Sequence, residues 1–432
     1  MEYETEHRIQ AQANPVFVTA KTAVCLMEQA GISDAGAIAR SLGLDKDELL
    51  HGMADFNTVL GNALVVEAKY RTGCSLIEDS GYHVSVDLPC GYTPKALRMT
   101  EKGMRFVGLD LPIVAEEADP ILRSLAEQPE RMSFHGIDAT NFESLSSALR
   151  GIDEPVCITT EGMMMYFTDE EVDAVISNIR GLLEKHGGCW ITPDPEFALQ
   201  FALSFRSVFG ESSLAKLESA RETAQEQSNV VNRLSNSFIL DATDVPKSLR
   251  TAETLLQRHG LKAKRVSLAE HMPELNVYRK LTPDQILQFN EAMQQCHFWI
   301  ITLDDTRKRQ EGSAMQKNQA FGMSHTVKNG NFRMALRGRV DSLSAPRILE
   351  AWESEKSASA IESAEIDCSN LEYISSAGVR VLLVIKEDCN QGMVLLGVNA
   401  SVAKALAQKG FTEADEGKWT AVKKLHFQES GI

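Results

Sequence analysis

Five residues in the first half of the chain could hold one polar, cationic ligand between them: Asp87, Gly91, Asp110, Asp138 and Glu161. The carboxylates stand at the ends of short apolar runs bounded by turn residues, His83–Leu88, Arg105–Leu109, Met132–Asp138 and Pro155–Thr160, which read as strands. A turn with Pro89, Gly91 and Pro94, then an amphipathic segment ending at Gly103, separates the first two runs, so Val84–Asp110 reads as one βαβ unit. Asp110 closes its second strand 23 residues after Asp87. An acidic side chain about 20 residues beyond the first turn accepts bonds from ribose hydroxyls in nucleotide folds. Carboxylates at successive strand ends suit a ligand with a cationic, amine-bearing end, a ribose and an adenine. Upstream, LVVEAKYRTGCSLI (Leu64–Ile77) continues as a helix that brings Lys69 and Arg71 just ahead of the first strand. A cation there would hold a ligand carboxylate by a charge-assisted bond, or else form solvated helix surface.

The elements that position these residues alternate. Strands separated by helices, such as Phe142–Leu149, imply a parallel sheet covered on both faces. Thr168 and Glu171 form a capping box, after which Val172, Val175, Ile176, Ile179 and Leu183 share a helix face until Gly187 and Gly188. Cys189–Thr192 makes a fifth strand. Residues 195–245 then break the rhythm, with Phe197, Phe201, Phe205 and Phe209 four apart on one helix face. Such a stripe is core or substrate wall, and an insertion after the fifth strand lies over the carboxyl ends of the sheet. The sheet would finish with a helix Val245–His259 and strands Leu261–Leu268 and His297–Asp304. Residues 15–80 read as helices, among them Phe17–Ala30 and Ala35–Leu42. Within them SDAGAIARSLGLDKDELL is similar to a helix-turn-helix pair, against which stands the alternative of a helical cap beside the ligand pocket.

Charge favours the cap. Sixty acidic residues against 44 basic ones leave a formal charge of −16, which repels phosphate backbones and anionic membrane surfaces. With 432 residues, the length implies about two or three domains. The eight cysteines are scattered without a CxxC pair or a Cys/His cluster, so no metal site is expected and reduced buried thiols are. The polar N-terminus is not a signal peptide and no apolar run approaches a membrane span, so a cytoplasmic protein is expected.

The ordered set VDLPCGYTPKALRM (Val86–Met99), FVGLDLPIV (Phe106–Val114), HGIDATNF (His135–Phe142) and TTEGMMMYFTDEEV (Thr159–Val172), with Arg71 upstream, resembles the S-adenosylmethionine-dependent methyltransferases with a Rossmann-like sheet. More narrowly, it resembles the leucine carboxyl methyltransferase-like group, which includes O-methyltransferases of polyketide pathways. The resemblance covers roughly residues 60–305. It implies that Arg71 binds the cofactor carboxylate, Asp87 and Gly91 its methionine end, Asp110 the ribose, Asp138 the adenine amine, and Glu161 the methionine end or pocket floor. Four carboxylates round one cleft also suit a sulfonium. Tyr166 and His135 are the candidate bases for a hydroxyl acceptor, against plain packing. The chain departs from the family where a glycine usually stands, at Pro89, and where an Asp-Thr pair usually stands, near Thr93 and Pro94.

Beyond a polar stretch, Asp305–Asn329, with linker composition, a second unit begins. It reads as strand Phe332–Val340, helix from Ala345, strand Ala364–Asp367, helix Val379–Ile385, strand Met393–Gly397 and helix Val402–Gln408. RGRVDSLSAPRILEAW (Arg337–Trp352), IDCSNLEYISSAGVRVLL (Ile366–Leu383) and Gly410-Phe411 resemble a STAS domain, the anti-sigma-factor antagonist fold. The resemblance implies phosphorylation of Ser376 by an anti-sigma-type kinase, with Asp341 in the loop beside it. A serine that only caps its helix is the alternative.

The expected architecture is therefore α/β. Residues 1–304 form a Rossmann-like methyltransferase domain with a helical cap over 1–80 and a lid over 195–245. Residues 305–324 link it to a small α/β STAS domain over 325–432. The expected activity is O-methyl transfer from S-adenosylmethionine, leaving S-adenosylhomocysteine, to a carboxyl or hydroxyl of a small molecule, with Phe197, Phe201 and Phe205 against the substrate. The alternative is a non-catalytic sensor or scaffold in STAS partner switching. Hydride transfer ranks third, because GxGxxG is absent from the first turn.

Overall fold

The computed structural model describes Ile9 and residues 17–51, 55–212, 215, 236–304, 321–407, 409–415 and 418–421. Two compact units result, Val16–Glu311 and Gly312–Ile432, the second counting Met1–Pro15 with it. The N-terminal boundary thus departs from the expected one: Ile9 is buried in the core of the C-terminal unit.

The first unit holds a seven-stranded sheet of order β3-β2-β1-β4-β5-β7-β6. Its strands are β1 (Val84–Asp87), β2 (Arg105–Asp110), β3 (Met132–Gly136), β4 (Val156–Thr159), β5 (Gly188–Thr192), β6 (Leu261–Ser267) and β7 (His297–Leu303). The first five pair in parallel, and β7 runs antiparallel between β5 and β6. Every residue of β1 and of β4 is buried, as continuous apolar strands inside a parallel sheet must be. The chain order reverses at β1, so the ends of β1 and β4 flank the switch point where open α/β sheets bind ligands.

Helices α1 (Phe17–Gln29), α2 (Ala35–Ser41), α3 (Lys46–His51) and α4 (Phe56–Asp79) precede the sheet. The segment resembling a helix-turn-helix is α2 and α3 of this helical group. Between strands lie α5 (Lys95–Glu101), α6 (Pro112–Leu125), α7 (Phe142–Ala148) and α8 (Asp169–His186). The capping box forms as the spacing predicts: Thr168 accepts from the Glu171 amide, and Glu171 accepts from the Thr168 amide. After β5 come α9 (Phe197–Phe209), α10 (Val245–Arg258), α11 (Leu268–His271) and α12 (Pro283–Met293). Most of the expected lid between α9 and α10 lies outside the described residues.

The aromatic stripe faces α4. Phe201 and Phe205 form a small core with Val65, and a Cβ on Gly61 would stand 2.5 Å from the Phe205 ring. Only a glycine allows that approach.

The C-terminal unit holds a six-stranded sheet of order β12-β13-β11-β10-β9-β8. It comprises β8 (Gly322–Lys328), β9 (Asn331–Val340), α13 (Ala345–Ala358), β10 (Ser363–Ile374), α14 (Ser376–Asp388), β11 (Met393–Leu396), α15 (Ala400–Ala407), β12 (Phe411–Asp415) and β13 (Lys418–Ala421). β9, β10 and β11 are parallel, and the outer pairings are antiparallel. The linker reading is corrected here, because its last residues form β8. GMSHTVK is an edge strand with no fully buried residue, so it lacks the apolar alternation that would have marked it. Residues 305–320 of the expected linker lie outside the described residues.

Among the described residues no helix is long and apolar enough to cross a membrane, and no cluster of His, Cys, Asp or Glu is arranged to hold a metal. All eight cysteines are free and buried. Two that look isolated in sequence, Cys157 and Cys189, are neighbours on β4 and β5, their sulfurs 4.0 Å apart.

Gly61→Ala drives a methyl group into the Phe205 ring. It should lower the unfolding free energy by about 1–3 kcal/mol in a denaturant titration, and no measurable loss would contradict the close α4–α9 packing.

Candidate functional site

The floor of the candidate site is a buried ion pair. Asp87 ends β1, and one of its oxygens accepts from Lys95 Nζ at 2.7 Å and from Thr159 Oγ1 at 2.5 Å. Its other oxygen, Oδ2, is buried without a hydrogen-bond partner. Burial raises the Asp87 carboxyl above its usual range, opposed by Lys95. Lys95 opens α5. Burial works to lower its pKa, but the carboxylates of Asp87 and Glu161 hold it raised. A cation is disfavoured at a helix N-terminus, so a lysine there signals a partner elsewhere. The sequence carries that signal in Lys95, directly after Pro94.

Glu161 lies just past β4, half-buried, with Lys69 Nζ 3.6 Å from its carboxylate. Lys69 stands on α4, over the rings of Phe197 at 4.8 Å and Phe201 at 5.6 Å. The loop carrying Glu161 is fixed by Asp194, which accepts from the amides of Gly162, Met163 and Met164 at 2.6, 3.1 and 3.1 Å. Burial raises the Asp194 carboxyl, and these amides and Lys69 oppose it.

Asp110 binds the first turn to β2. Its Oδ2 accepts from the Gly91 amide at 2.7 Å and its Oδ1 from the Leu111 amide at 2.8 Å. Gly91 sits at φ +52°, in the left-handed region, which explains a glycine at this position. The loop through Pro89 is held at both sides, Leu88 N to Thr159 O at 2.9 Å and Cys90 N to Leu109 O at 3.0 Å. Burial pushes the Asp110 carboxyl up to about 7, against the two amides that favour its charged form. A carboxylate has about four lone-pair sites, so two amides leave room for further donors. Asp138, also buried, accepts from Thr140 N at 2.7 Å and Thr140 Oγ1 at 2.5 Å and so shapes the loop after β3.

The first turn of α1 crosses above these loops. Ala20 Cβ lies 3.7 Å from where a Cβ on Gly91 would stand. Thr19 accepts from Tyr166 at 3.2 Å, and Lys21 pairs with Glu117 at 3.3 Å. Tyr92 also donates to Glu117, and Lys21 lies over the Tyr92 ring.

The structure brings Asp87, Gly91, Asp110 and Glu161 to the carboxyl ends of β1, β2 and β4. It does not bring Arg71 with them as a free cation. Arg71 Nε donates to Glu67 at 2.6 Å, and Glu67 also accepts from the amides of Asn276 and Val277. The cation facing Glu161 is Lys69. Tyr166 packs against α1. His135 lies inside the edge strand β3, where burial lowers its pKa, opposed by Asp119 and reinforced by Arg105. β2 and β1 separate it from β4, so the two candidate bases do not share one centre. Of the stripe, Phe205 and Phe201 are both buried in the core with Val65, and the Phe197 and Phe201 rings lie under Lys69.

In the C-terminal unit, Ser375 caps α14 by accepting from the Gly378 amide at 3.3 Å, and Ser376 is the first helical residue. The Ser375 amide donates to Val340 O at 2.8 Å, which sets this turn beside the loop after β9. In that loop Asp341 Oδ1 accepts from the Leu343 amide and from both the amide and hydroxyl of Ser344. Residues 325–416 match the STAS_2 family, described as Mlab, STAS domain.

The C-terminal unit carries a STAS domain. No curated protein matches the chain. Among solved structures, similarity is found to a duf574 family protein from Streptomyces avermitilis, 15% identical over 66% of this chain and 96% of that one, with a TM-score of 0.36. The magnesium protoporphyrin IX methyltransferase of Synechocystis, with bound S-adenosylhomocysteine, is 12% identical over 62% and 93%, with a TM-score of 0.34. The mitomycin 7-O-methyltransferase is 14% identical over 64% of this chain, with a TM-score of 0.33, and the match spans 60% of that enzyme's length.

The raised Asp110 carboxyl has a signed consequence. Between its ordinary value of 3.8 and about 7 the folded chain keeps a proton that the unfolded chain releases. This group's stabilisation is therefore full below the lower value and is lost as pH rises through the upper one. Relative to Asp110→Asn, the wild-type chain should lose at most about 4 kcal/mol of stability across that window in denaturant titrations. Parallel profiles would contradict the assignment.

Proposed function

We propose that the first unit binds S-adenosylmethionine at the carboxyl ends of β1, β2 and β4 and transfers its methyl group to a carboxyl or hydroxyl oxygen of a small molecule. The observation that carries this reading is the buried, unpaired oxygen of Asp87 beside the turn that Asp110 fastens. A buried acceptor without a donor costs about 1–3 kcal/mol, and an amine arriving at the end of β1 would supply the missing bond. Glu161 offers a second acceptor for that amine, Lys69 a donor for the neighbouring carboxylate, and Asp110 acceptors for the ribose. Bound there, S-adenosylmethionine would supply an electrophilic methyl group. The chain's part is positioning: Gly91 admits close backbone approach, and Phe197 and Phe201 present an apolar face to the acceptor. Eight buried free thiols fit a reducing, cytoplasmic setting.

A second reading, a non-catalytic scaffold, is favoured by Lys95, which already neutralises Asp87, and by Ala20, which already covers Gly91. In either case the STAS domain would exchange partner proteins through the turn at Ser376. The start of α14 presents backbone amides, where a phosphate is stabilised, and its two negative charges would alter docking.

Calorimetric titration with S-adenosylmethionine separates the two readings. Binding below millimolar concentration, weakened about tenfold or more by Asp110→Ala, is expected; no binding, or binding indifferent to the substitution, would sink the enzyme reading. For the switch, incubation with cell extract and ATP should place phosphate on Ser376 by mass spectrometry. An unmodified serine, together with unaltered partner capture by Ser376→Ala, argues against it.

A further inference from the structure

Two nucleophiles that the ligand site does not use face each other inside the first sheet. Cys157 on β4 and Cys189 on β5 are register partners on adjacent parallel strands, and their sulfurs stand 4.0 Å apart. Both are free and buried. A disulfide needs Cα atoms about 4.4–6.8 Å apart, and neighbouring strands lie about 4.8 Å apart, so closing the sulfur gap asks mainly for side-chain rotation.

Each cysteine is the second residue of its strand, which puts the pair at the amino edge of the sheet, opposite the ligand site. The turn between α4 and β1 lies beside it. Ser80 in that turn bonds to the Cys157 thiol, and Tyr82 stands near both sulfurs. The cover is thin there: Gly81 is exposed, with nothing within 4 Å of where a Cβ would stand, and Gly188, next to Cys189, is half-buried. A small polar oxidant needs only a local shift of the turn to enter.

We propose that Cys157 and Cys189 form a redox-active dithiol, which a hydroperoxide closes reversibly into a disulfide between β4 and β5. The proposal does not depend on what the first unit binds. β4 ends in Thr159, which bonds to Asp87, and β5 leads to Asp194, which fixes the loop of Glu161, so the closed bond ties together two strands that support the ligand site.

Cys189 reacts first. Its bond with Cys157 lowers its pKa against the effect of burial, while the same bond, together with burial, holds Cys157 up. The thiolate is the nucleophile. It attacks one oxygen of hydrogen peroxide, the O–O bond breaks, and water leaves once the departing hydroxide takes up a proton, so that Cys189 carries a sulfenic acid. The Cys157 sulfur then attacks the Cys189 sulfur, the S–O bond breaks, and a second water leaves. Two electrons and the two thiol protons have passed to the peroxide. An external thiol reverses the bond by exchange.

The test exposes the folded full chain to hydrogen peroxide, alkylates the remaining thiols in denaturant, and maps all cysteines by peptide mass spectrometry. The expected product is a pair of peptides joined through Cys157 and Cys189, two hydrogens lighter than the free peptides and separated by dithiothreitol. It should form about tenfold or more faster than any other cysteine is oxidised. In Cys157→Ser, which removes the resolving thiol, dimedone should trap a sulfenic acid on Cys189. The wild-type arm does not depend on a variant folding. Both thiols still alkylated after oxidation, or either one joined to a different cysteine or to a second chain, overturns the proposal. So does a bond that forms only once the chain is unfolded.

Discussion

Lys95 and Asp87 are oppositely charged, almost wholly buried and 2.7 Å apart, and the site is assembled around them. Asp87 ends β1, Lys95 begins the helix that follows, and Thr159 ends β4, so one carboxylate oxygen fastens three elements at the switch point of the sheet. Removing one partner of such a pair strands a charge in a low-dielectric interior and costs about 3–5 kcal/mol, whereas an apolar replacement of both is often neutral or better. Stability alone therefore does not explain the pair. Its geometry leaves Asp87 Oδ2 unpaired while the charge is balanced, an arrangement suited to receiving a ligand donor.

Much of this was legible in the sequence because strand ends in a doubly wound sheet converge. Once Val84–Asp110 reads as a βαβ unit, Asp87 and Asp110 must share an edge, and the later apolar runs bring Asp138 and Glu161 to the same side. The capping box at Thr168 and Glu171 was equally legible, since its bonds are local. What the sequence hid depends on rotation and on tertiary partners. Lys69 and Arg71 are two residues apart on a helix, which turns them about 200° away from each other, and nothing local tells which one faces the sheet. Arg71 went to Glu67 because Glu67 also had two backbone amides of a distant turn to bind.

The phenylalanine stripe shows the same limit in another form. Residues four apart share a face, yet that face runs from a sealed end, where Phe205 meets Gly61, to an end that carries a lysine over its rings. Core and binding wall were alternatives in the sequence and are successive turns of one helix in the structure. β8 was missed for a different reason: an edge strand need not alternate in polarity. In the C-terminal unit the serine pair was legible, but only the structure assigns the cap to Ser375, and it packs Gly378 so closely that a Cβ there would stand 2.5 Å from Val340.

On the proposed reading the ends of β1, β2 and β4 form one cofactor site above the buried Lys95–Asp87 pair. A crystal structure of the full chain grown with S-adenosylhomocysteine tests it most directly. Density is expected with the ligand's amine between Asp87 and Glu161, its carboxylate toward Lys69 and its ribose on Asp110. A ligand lying elsewhere, or an unchanged Lys95–Asp87 floor with no ligand above it at saturating concentration, would contradict it.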